Sequence, residues 1–271
     1  MEGLKSRAVA LVVCIALILV GWFGGSAIQN MGGQLITTQA SGLKANTVVM
    51  KIDDQSVTAG EYLYWLTSAC DTVYQYYGIT DLSMSFTADL TVGDYVREQA
   101  DYYVSQYAAI RQLAAEKGIT LTEGQQSQLD DMNETYASYY GGDDIYRYML
   151  AYAGLNEKLL REISEVPYLY NNLCEQMLGE GGELEPTDEN LKEYAERNSY
   201  TELSGEDLLA RYKDTGYGAM YDYVDDYINA MNVEKTEQYD QIDVAAFYTA
   251  LTQARAELPR PASLESGSAE D

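Results

Sequence analysis

The chain of 271 residues carries a formal net charge of −26 at pH 7, because 43 acidic residues stand against 17 Lys and Arg. So negative a protein repels polyanions, and we therefore expect no binding to nucleic acid. The sequence contains no histidine, which removes the most common general base, metal ligand and partner of a catalytic nucleophile. We expect no catalytic residues, no metal site and no cofactor.

The first segment has the pattern of a membrane anchor. Two basic residues precede the uncharged run AVALVVCIALILVGWF (8–23), and the next charge is Lys44. Residues 1–28 are about long enough for a transmembrane helix, with the positive end inside the cell. A cleaved signal peptide, with small residues at 25–27, is the alternative. Either interpretation puts the remaining chain outside the cytoplasm, and residues 29–46 are expected to be a polar tether.

A small β element and a first helix follow the tether. The β-branched run Val48–Ile52 predicts a strand, and a turn leads back to a short second strand ending near Val57. Thr58, with Glu61 three residues on, predicts a capping box and a helix that ends at Gly78. A loop is expected between this helix and the next one.

The longest predicted element begins at Thr91, where Asp94 completes a second capping box. Apolar or aromatic residues then recur at helical spacing until Gly118, a residue suited to the left-handed conformation after a helix. A helix of about 26 residues is about 39 Å long. We expect it to be the central element of a mainly α fold.

The rest of the chain is predicted to be helical up to a disordered tail. Pro167 removes a backbone donor and should kink or split its helix. The tail, 257–271, has two prolines and small polar or acidic residues. The predicted helices are 122–140, 143–153, 155–178, 189–198 after a glycine-rich linker, 220–231 and a last one around 244–251.

The order of these elements resembles a known family. The most specific stretch is AAIRQLAAEKGITLTEGQ (108–125), in which a helix, a lysine-glycine stop and a new helix start follow in turn. With VVMKIDDQSVTAGEY (48–62), YRYMLAYAGLNEKLLREI (146–163) and EPTDENLKEYAERN (185–198), it is similar to the N-terminal chaperone region of the SurA/PrsA group of exported foldases. The resemblance covers about 47–198 and implies a SurA/trigger-factor-like helical peptide-binding domain with a short β element.

The family pattern is interrupted after this region. In that family a parvulin-type prolyl isomerase domain normally follows, and a returning helix packs onto the N-terminal region. Here only 199–217 separate Asn198 from Gly218, and the helix at 220–231 resembles the returning element. We therefore expect 199–256 to be a short connector and returning helices. Parvulin sites typically use histidines, so isomerase activity is not expected, although a diverged prolyl isomerase stays as an alternative.

The resemblance implies an ATP-independent chaperone, or holdase, for unfolded or newly exported polypeptides, held at the membrane by the N-terminal helix. A scaffold for one folded membrane partner is a further alternative. Tyrosine and methionine suit surfaces that accept varied partners. The same side chains can instead form the core between helices. The candidate peptide-binding residues are Tyr62, Trp65, Met84, Phe86, Tyr103, Tyr107, Met132 and Tyr136.

Two other features have competing interpretations. Adjacent acidic pairs, such as Asp130-Asp131 and Asp143-Asp144, suggest solvated helix starts more than a calcium site or a glycosidase, since no Asp-x-Asp-x-Asp-Gly loop is present. Cys70 and Cys174 form either a disulfide outside the cytoplasm or two buried thiols.

Overall fold

The computed structural model describes residues 35–200 and 202–265. The chain is mainly helical, with one three-stranded antiparallel sheet. The expected anchor, 1–28, lies outside the described residues, as does the start of the tether. Within the described ranges, no helix combines the length and the apolar character that crossing a membrane requires.

The described residues divide into two compact units. The terminal unit, named for its use of both ends of the described chain, comprises 35–105, 126–163 and 232–265. The middle unit comprises 106–125, 164–200 and 202–231. Two long helices contribute residues to both.

Thirteen helices and three strands lie in the described ranges. The strands are β1 Val48–Ile52, β2 Gln55–Thr58 and β3 Val233–Lys235. The helices are α1 Ile36–Ser41, α2 Ala59–Tyr77, α3 Val92–Glu116, α4 Glu123–Asp130, α5 Met132–Tyr140, α6 Asp143–Ala153, α7 Glu157–Leu178, α8 Asp188–Arg197, α9 Gly205–Tyr212, α10 Ala219–Ala230, α11 Glu237–Asp240, α12 Val244–Ala256 and α13 Ala262–Glu265.

The capping box at Thr91 forms as predicted, and the Thr58 side chain caps the start of α2. The Asp94 amide donates to the Thr91 hydroxyl at 3.0 Å, and the Thr91 amide donates to the Asp94 carboxylate at 2.9 Å. At the start of α2 the Thr58 hydroxyl accepts from the Glu61 amide at 3.4 Å. Gly78 ends α2 in the left-handed conformation. Local sequence therefore fixes both ends of α2 and the start of α3.

The sheet has the order β2-β1-β3, so its central strand is the first in sequence. Ile52 is paired with Gln55 on one side and with Val233 on the other. At the turn, the Asp53 amide donates to the Asn232 carbonyl at 2.8 Å, and the Asn232 amide donates to the Asp53 carboxylate at 2.9 Å. The third strand was not predicted, because VEK is only three residues long, two of them charged, and has no buried residue to give a pattern.

Helix α1 corrects the prediction of a tether over 29–46. Leu35, Ile36, Thr37 and Thr38 are buried, and α1 packs against α2 and α12 in the terminal unit. The polar composition concealed this helix, because two threonines are among its buried residues.

Two further predictions about helices need correction. The helix expected over 122–140 is two helices, α4 and α5, interrupted at Asp131. Helix α7 continues through Pro167 without being split. The lost hydrogen bond and ring clash cost about 3 kcal/mol. Burial of Ile163, Val166 and Leu173 on both sides of the proline helps to offset that cost.

The segment after Asn198 is also more structured than a connector. Helix α9 forms within it and buries Tyr212 against Tyr194 and Ala219 in the middle unit. Helix α10, expected to be the returning element, belongs to the middle unit, whereas β3, α11 and α12 belong to the terminal unit. The elements that return to the N-terminal region are therefore those after Met231.

The tail prediction is also corrected in part. Leu258 is buried and residues 262–265 form α13, so the start of the segment expected to be disordered is packed. Residues 266–271 lie outside the described part.

Candidate functional site

Five of the eight exposed large apolar or tyrosine side chains in the described ranges lie within thirteen residues, where α2 ends and the loop before α3 follows, in the terminal unit. Between 40 and 62% of each of these side chains is exposed. Single exposed apolar residues are normal on proteins, but clustered ones mark contact sites. We call this set the aromatic surface: Tyr74, Tyr76 and Tyr77 on the last turn of α2, with Met84 and Phe86 on the loop that follows.

The loop between α2 and α3 is held by backbone hydrogen bonds. The Phe86 amide donates to the Leu90 carbonyl at 2.8 Å, and the Val92 amide donates to the Met84 carbonyl at 2.8 Å. Leu82 is buried beneath the loop. Met84 and Phe86 are therefore presented to solvent by an anchored segment.

Two stacked aromatic pairs involve α3, and one of them includes a residue of the aromatic surface. The Phe86 ring stacks on Tyr95 at a centroid distance of 4.4 Å, and Trp65 stacks on Tyr103 at 5.1 Å. Burial and then the neighbouring Tyr77 raise the pKa of Tyr95, and burial and then Tyr95 raise that of Tyr103 to about 12.

All charged side chains within residues 74–95, the segment that includes the aromatic surface, are acidic. The next cation along α3, Arg97, is near enough to Asp94 to contribute to lowering its pKa. Residues 74–95 contain Asp81, Asp89 and Asp94 but no Lys or Arg, and all three aspartates are exposed. The Ser83 hydroxyl donates to the Asp81 carboxylate at 2.6 Å and the Ser83 amide at 3.0 Å, which lowers the pKa of Asp81. A lowered pKa keeps this carboxylate negative below the range in which an aspartate usually protonates.

The candidate peptide-binding residues divide into three groups. Met84 and Phe86 are exposed on the aromatic surface, and Tyr136 is half-buried on α5 beside Tyr140 and Tyr146. The other five are buried, which favours the alternative interpretation that they are core: Tyr62, Trp65, Tyr103, Tyr107 and Met132.

Sequence reasoning missed the three tyrosines at the end of α2. Helical spacing from the buried Val73 would place Tyr76 or Tyr77 on the buried face, yet both are exposed. The last buried residue of α2 is Val73, so the final turn extends beyond the core. The signal in the sequence is the run YQYYG (74–78), in which three tyrosines in four positions cannot all follow one helical face.

A second cluster, around Asp101, joins α3 to the returning chain. The Asp101 carboxylate accepts from the hydroxyls of Tyr62 at 3.0 Å and Tyr239 at 2.8 Å, and Lys235 lies 2.7 Å away. Burial and then the Asp101 charge raise the pKa of Tyr62, which makes this phenol a weaker acid than usual. These contacts connect Tyr62 of α2 and Asp101 of α3 to Lys235 of β3 and Tyr239 of α11, so we interpret the cluster as structural.

The acidic pairs serve as helix starts and ion-pair partners. Asp130 lies 2.7 Å from Arg161, and Asp226 forms two contacts with Arg197 at 2.5 and 2.6 Å. Within the described part of the chain, no group of three or more Cys, Asp or Glu side chains is arranged to hold a metal ion.

Both described cysteines, Cys70 and Cys174, are buried free thiols. Burial raises the pKa of each, and that of Cys174 to about 11. The disulfide considered between them does not form in this structure.

No family model, curated protein or solved structure matches this chain.

Proposed function

We propose that this chain is an ATP-independent chaperone that holds unfolded or newly exported polypeptides, and that the aromatic surface binds them. The observation that supports the proposal most is the exposure of Tyr74, Tyr76, Tyr77, Met84 and Phe86 on an anchored loop and a helix end. Tyrosine offers contact area at a low entropic cost, and methionine adapts its shape to varied partners.

The binding should be weak and reversible. Complete burial of one large apolar side chain contributes about 1.5–3 kcal/mol, and side chains that are already half-buried contribute less. Five of them, after the cost of association, support a Kd of about 1 µM or weaker for one client segment. A holdase that must release its client needs affinity of this order.

The proposal includes the site of action. The anchor expected at 1–28 and the resemblance to the SurA/PrsA foldases support a membrane-anchored protein whose helical part lies outside the cytoplasm. The absence of histidine from the sequence supports binding without the isomerase chemistry of the parvulin domain.

The experiment is an aggregation assay with the full-length chain in an uncharged detergent. We expect the chain at stoichiometric amounts to delay light scattering by a chemically denatured protein after dilution. The double variant Tyr77→Ser, Phe86→Ser should lose most of this delay. Its thermal unfolding midpoint should fall only slightly, because Tyr77 is 60% exposed and the Phe86 ring loses one stacking contact, with Tyr95.

The matched control is Tyr139→Ser, which removes a ring that is 75% exposed on α5, outside the aromatic surface. It should leave the delay unchanged. An equal loss with this control would mean that clients bind wherever an aromatic ring is exposed. No delay by the parent chain would contradict the proposal, and capture of a single folded protein in a fixed ratio would favour a scaffold instead.

A further inference from the structure

The chain repeatedly places its own cations on tyrosine rings. Energetically significant cation–π contacts occur about once per 70–80 residues, which gives about three or four for a chain of this length. In the described ranges six Lys or Arg residues lie 4.4–5.9 Å from the centroid of a tyrosine ring: Arg97, Arg111, Lys117, Arg211, Lys235 and Arg255.

Three of these contacts share a third component, a carboxylate that pairs with the same cation. The cation then lies 2.6–2.8 Å from a carboxylate oxygen as well as over the ring. These sets are Arg255 with Asp71 and Tyr152, Lys235 with Asp101 and Tyr239, and Lys117 with Glu183 and Tyr223.

Each of these three sets consists of a tyrosine ring, a carboxylate and a cation. The aromatic surface has the first two of these components. It has tyrosine rings, and it has exposed carboxylates at Asp81, Asp89 and Asp94 on the adjoining loop and first turn of α3. Residues 74–95 contain no Lys or Arg. Arg97, which contributes to lowering the pKa of Asp94, lies over the Tyr239 ring and not over a ring of the aromatic surface. Among the described residues, no cation lies over the ring of Tyr74, Tyr76 or Tyr77, unlike the six contacts above.

We propose that the aromatic surface selects extended polypeptide segments in which Lys or Arg alternates with apolar side chains, the cation of the client completing the ring-and-carboxylate pair. This inference rests on the proposed function and adds the class of client. The apolar side chains supply contact area, and the cation supplies selectivity because it meets both a ring face and a negative charge. Acidic segments are excluded by the same charges.

The test uses four labelled peptides of one apolar sequence that differ at two positions, which hold Arg, Lys, citrulline or Glu. Citrulline keeps the planar shape of arginine without its charge. Binding to the full-length chain in uncharged detergent is measured by fluorescence anisotropy. We expect the Arg and Lys peptides to have a Kd about tenfold lower than that of the citrulline peptide, and the Glu peptide to bind more weakly still.

Variants separate a local site from the overall negative charge. Tyr77→Ser with Phe86→Ser should weaken the Arg peptide at least fivefold, and Asp81→Asn with Asp89→Asn should reduce the preference for Arg over citrulline. The control Glu189→Gln with Glu193→Gln, on exposed positions of α8, should change neither value. An Arg preference that survives the aromatic and Asp81/Asp89 variants would overturn the inference, since bulk charge would then explain it.

The failure of this inference is distinguishable from failure of the proposed function. Equal Kd values for the Arg and citrulline peptides would overturn the selection of cationic segments and leave the chaperone proposal standing. Binding of none of the four peptides, together with no delay of aggregation, would overturn both.

Discussion

Gly154, at the end of α6, faces Thr37 of α1 with no room for a side chain. Its φ is +74°, and a Cβ built there would lie 2.2 Å from the Thr37 Cγ2 atom. Gly154→Ala should therefore lower the free energy of unfolding by about 1–3 kcal/mol, through overpacking and an unfavourable φ. Urea unfolding followed by circular dichroism measures the change.

The control is Gly124→Ala on α4. There the nearest atom to a new Cβ is the Thr122 hydroxyl oxygen at 4.0 Å, and φ is not positive. Alanine should be neutral or stabilise the chain by about 1 kcal/mol. Similar values for the two variants would show that α1 is not packed on Gly154.

The capping box at the start of α3 makes a prediction about pH. The Thr91 hydroxyl donates to the Asp94 carboxylate at 2.6 Å, and this bond and that from the Thr91 amide lower the pKa of Asp94 below its ordinary 3.8. The unfolded chain therefore binds the proton more tightly. The ionised Asp94 therefore stabilises the folded chain at a pH above its ordinary pKa. This stabilisation is lost as the pH falls through the lower pKa that Asp94 has in the folded chain.

Carbon-13 NMR of the Asp94 carboxyl group checks this directly. The midpoint of the Asp94 titration should lie below pH 3.8 in the parent chain and should move to a higher pH in the Thr91→Val variant. The midpoint of Asp81 should not move in that variant, because Ser83 supplies its hydrogen bonds. An Asp94 titration midpoint that is the same in Thr91→Val as in the parent would contradict the assignment of the lowered pKa to the hydrogen bonds from Thr91.

Among the elements, α12 is tied to α2 by a buried ion pair. The Arg255 guanidinium makes two contacts of 2.8 Å with Asp71 and donates to the Tyr152 carbonyl at 2.9 Å. Arg255→Met should cost about 3–5 kcal/mol, because the Asp71 carboxylate is left without its cation in a mostly buried site. Chemical denaturation of the purified variant gives the value.

Two variants control this prediction. Arg147→Met breaks an exposed contact of 4.0 Å with Asp143 and should cost less than about 1 kcal/mol. Asp71→Asn combined with Arg255→Met should be more stable than Arg255→Met alone, since no charge is then left unpaired. A double variant that is no better would mean that the lost arginine packing, and not the unpaired charge, dominates.

The sequence predicted elements well where the signal is local. The caps at Thr58 and Thr91, the stop at Gly78 and the hairpin of β1 and β2 each depend on residues within a few positions of one another. Helix α1 and strand β3 depend on partners far along the chain. Their sequences, ITTQAS and VEK, carry no periodic signal of their own.

At the scale of the whole molecule, the terminal unit needs both ends of the described chain. Strand β3 covers one edge of β1, and Lys235 and Arg255 neutralise Asp101 and Asp71. A chain ending at residue 231 should therefore fail to form the core around Trp65. In a Trp22→Phe background Trp65 is the only tryptophan, so its emission should shift to the red.

The comparison is a chain ending at residue 265, which keeps all of these contacts. Its emission should match that of the full-length chain. Retention of a buried Trp65 signal in the shorter chain would contradict the role assigned to the returning elements.

The candidate site was only partly predictable from sequence. Met84 and Phe86 lie in a predicted loop, where exposure is common, but Leu82 in the same loop is buried. Tyr62 and Tyr103 are as aromatic as Tyr77, and composition alone does not separate core rings from surface rings. The separation depends on where the helices pack and on where α2 passes the edge of the core, which is a property of the fold.

The most direct measurement of the central claim is site-specific photocrosslinking to a permanently unfolded, basic client. A photoreactive side chain replaces Met84 on the aromatic surface or, as control, the exposed Lys158 on α7. The account predicts that crosslinking at position 84 exceeds that at position 158 severalfold and that an excess of the Arg peptide competes it away. Equal crosslinking at the two positions, or none at 84, would contradict it.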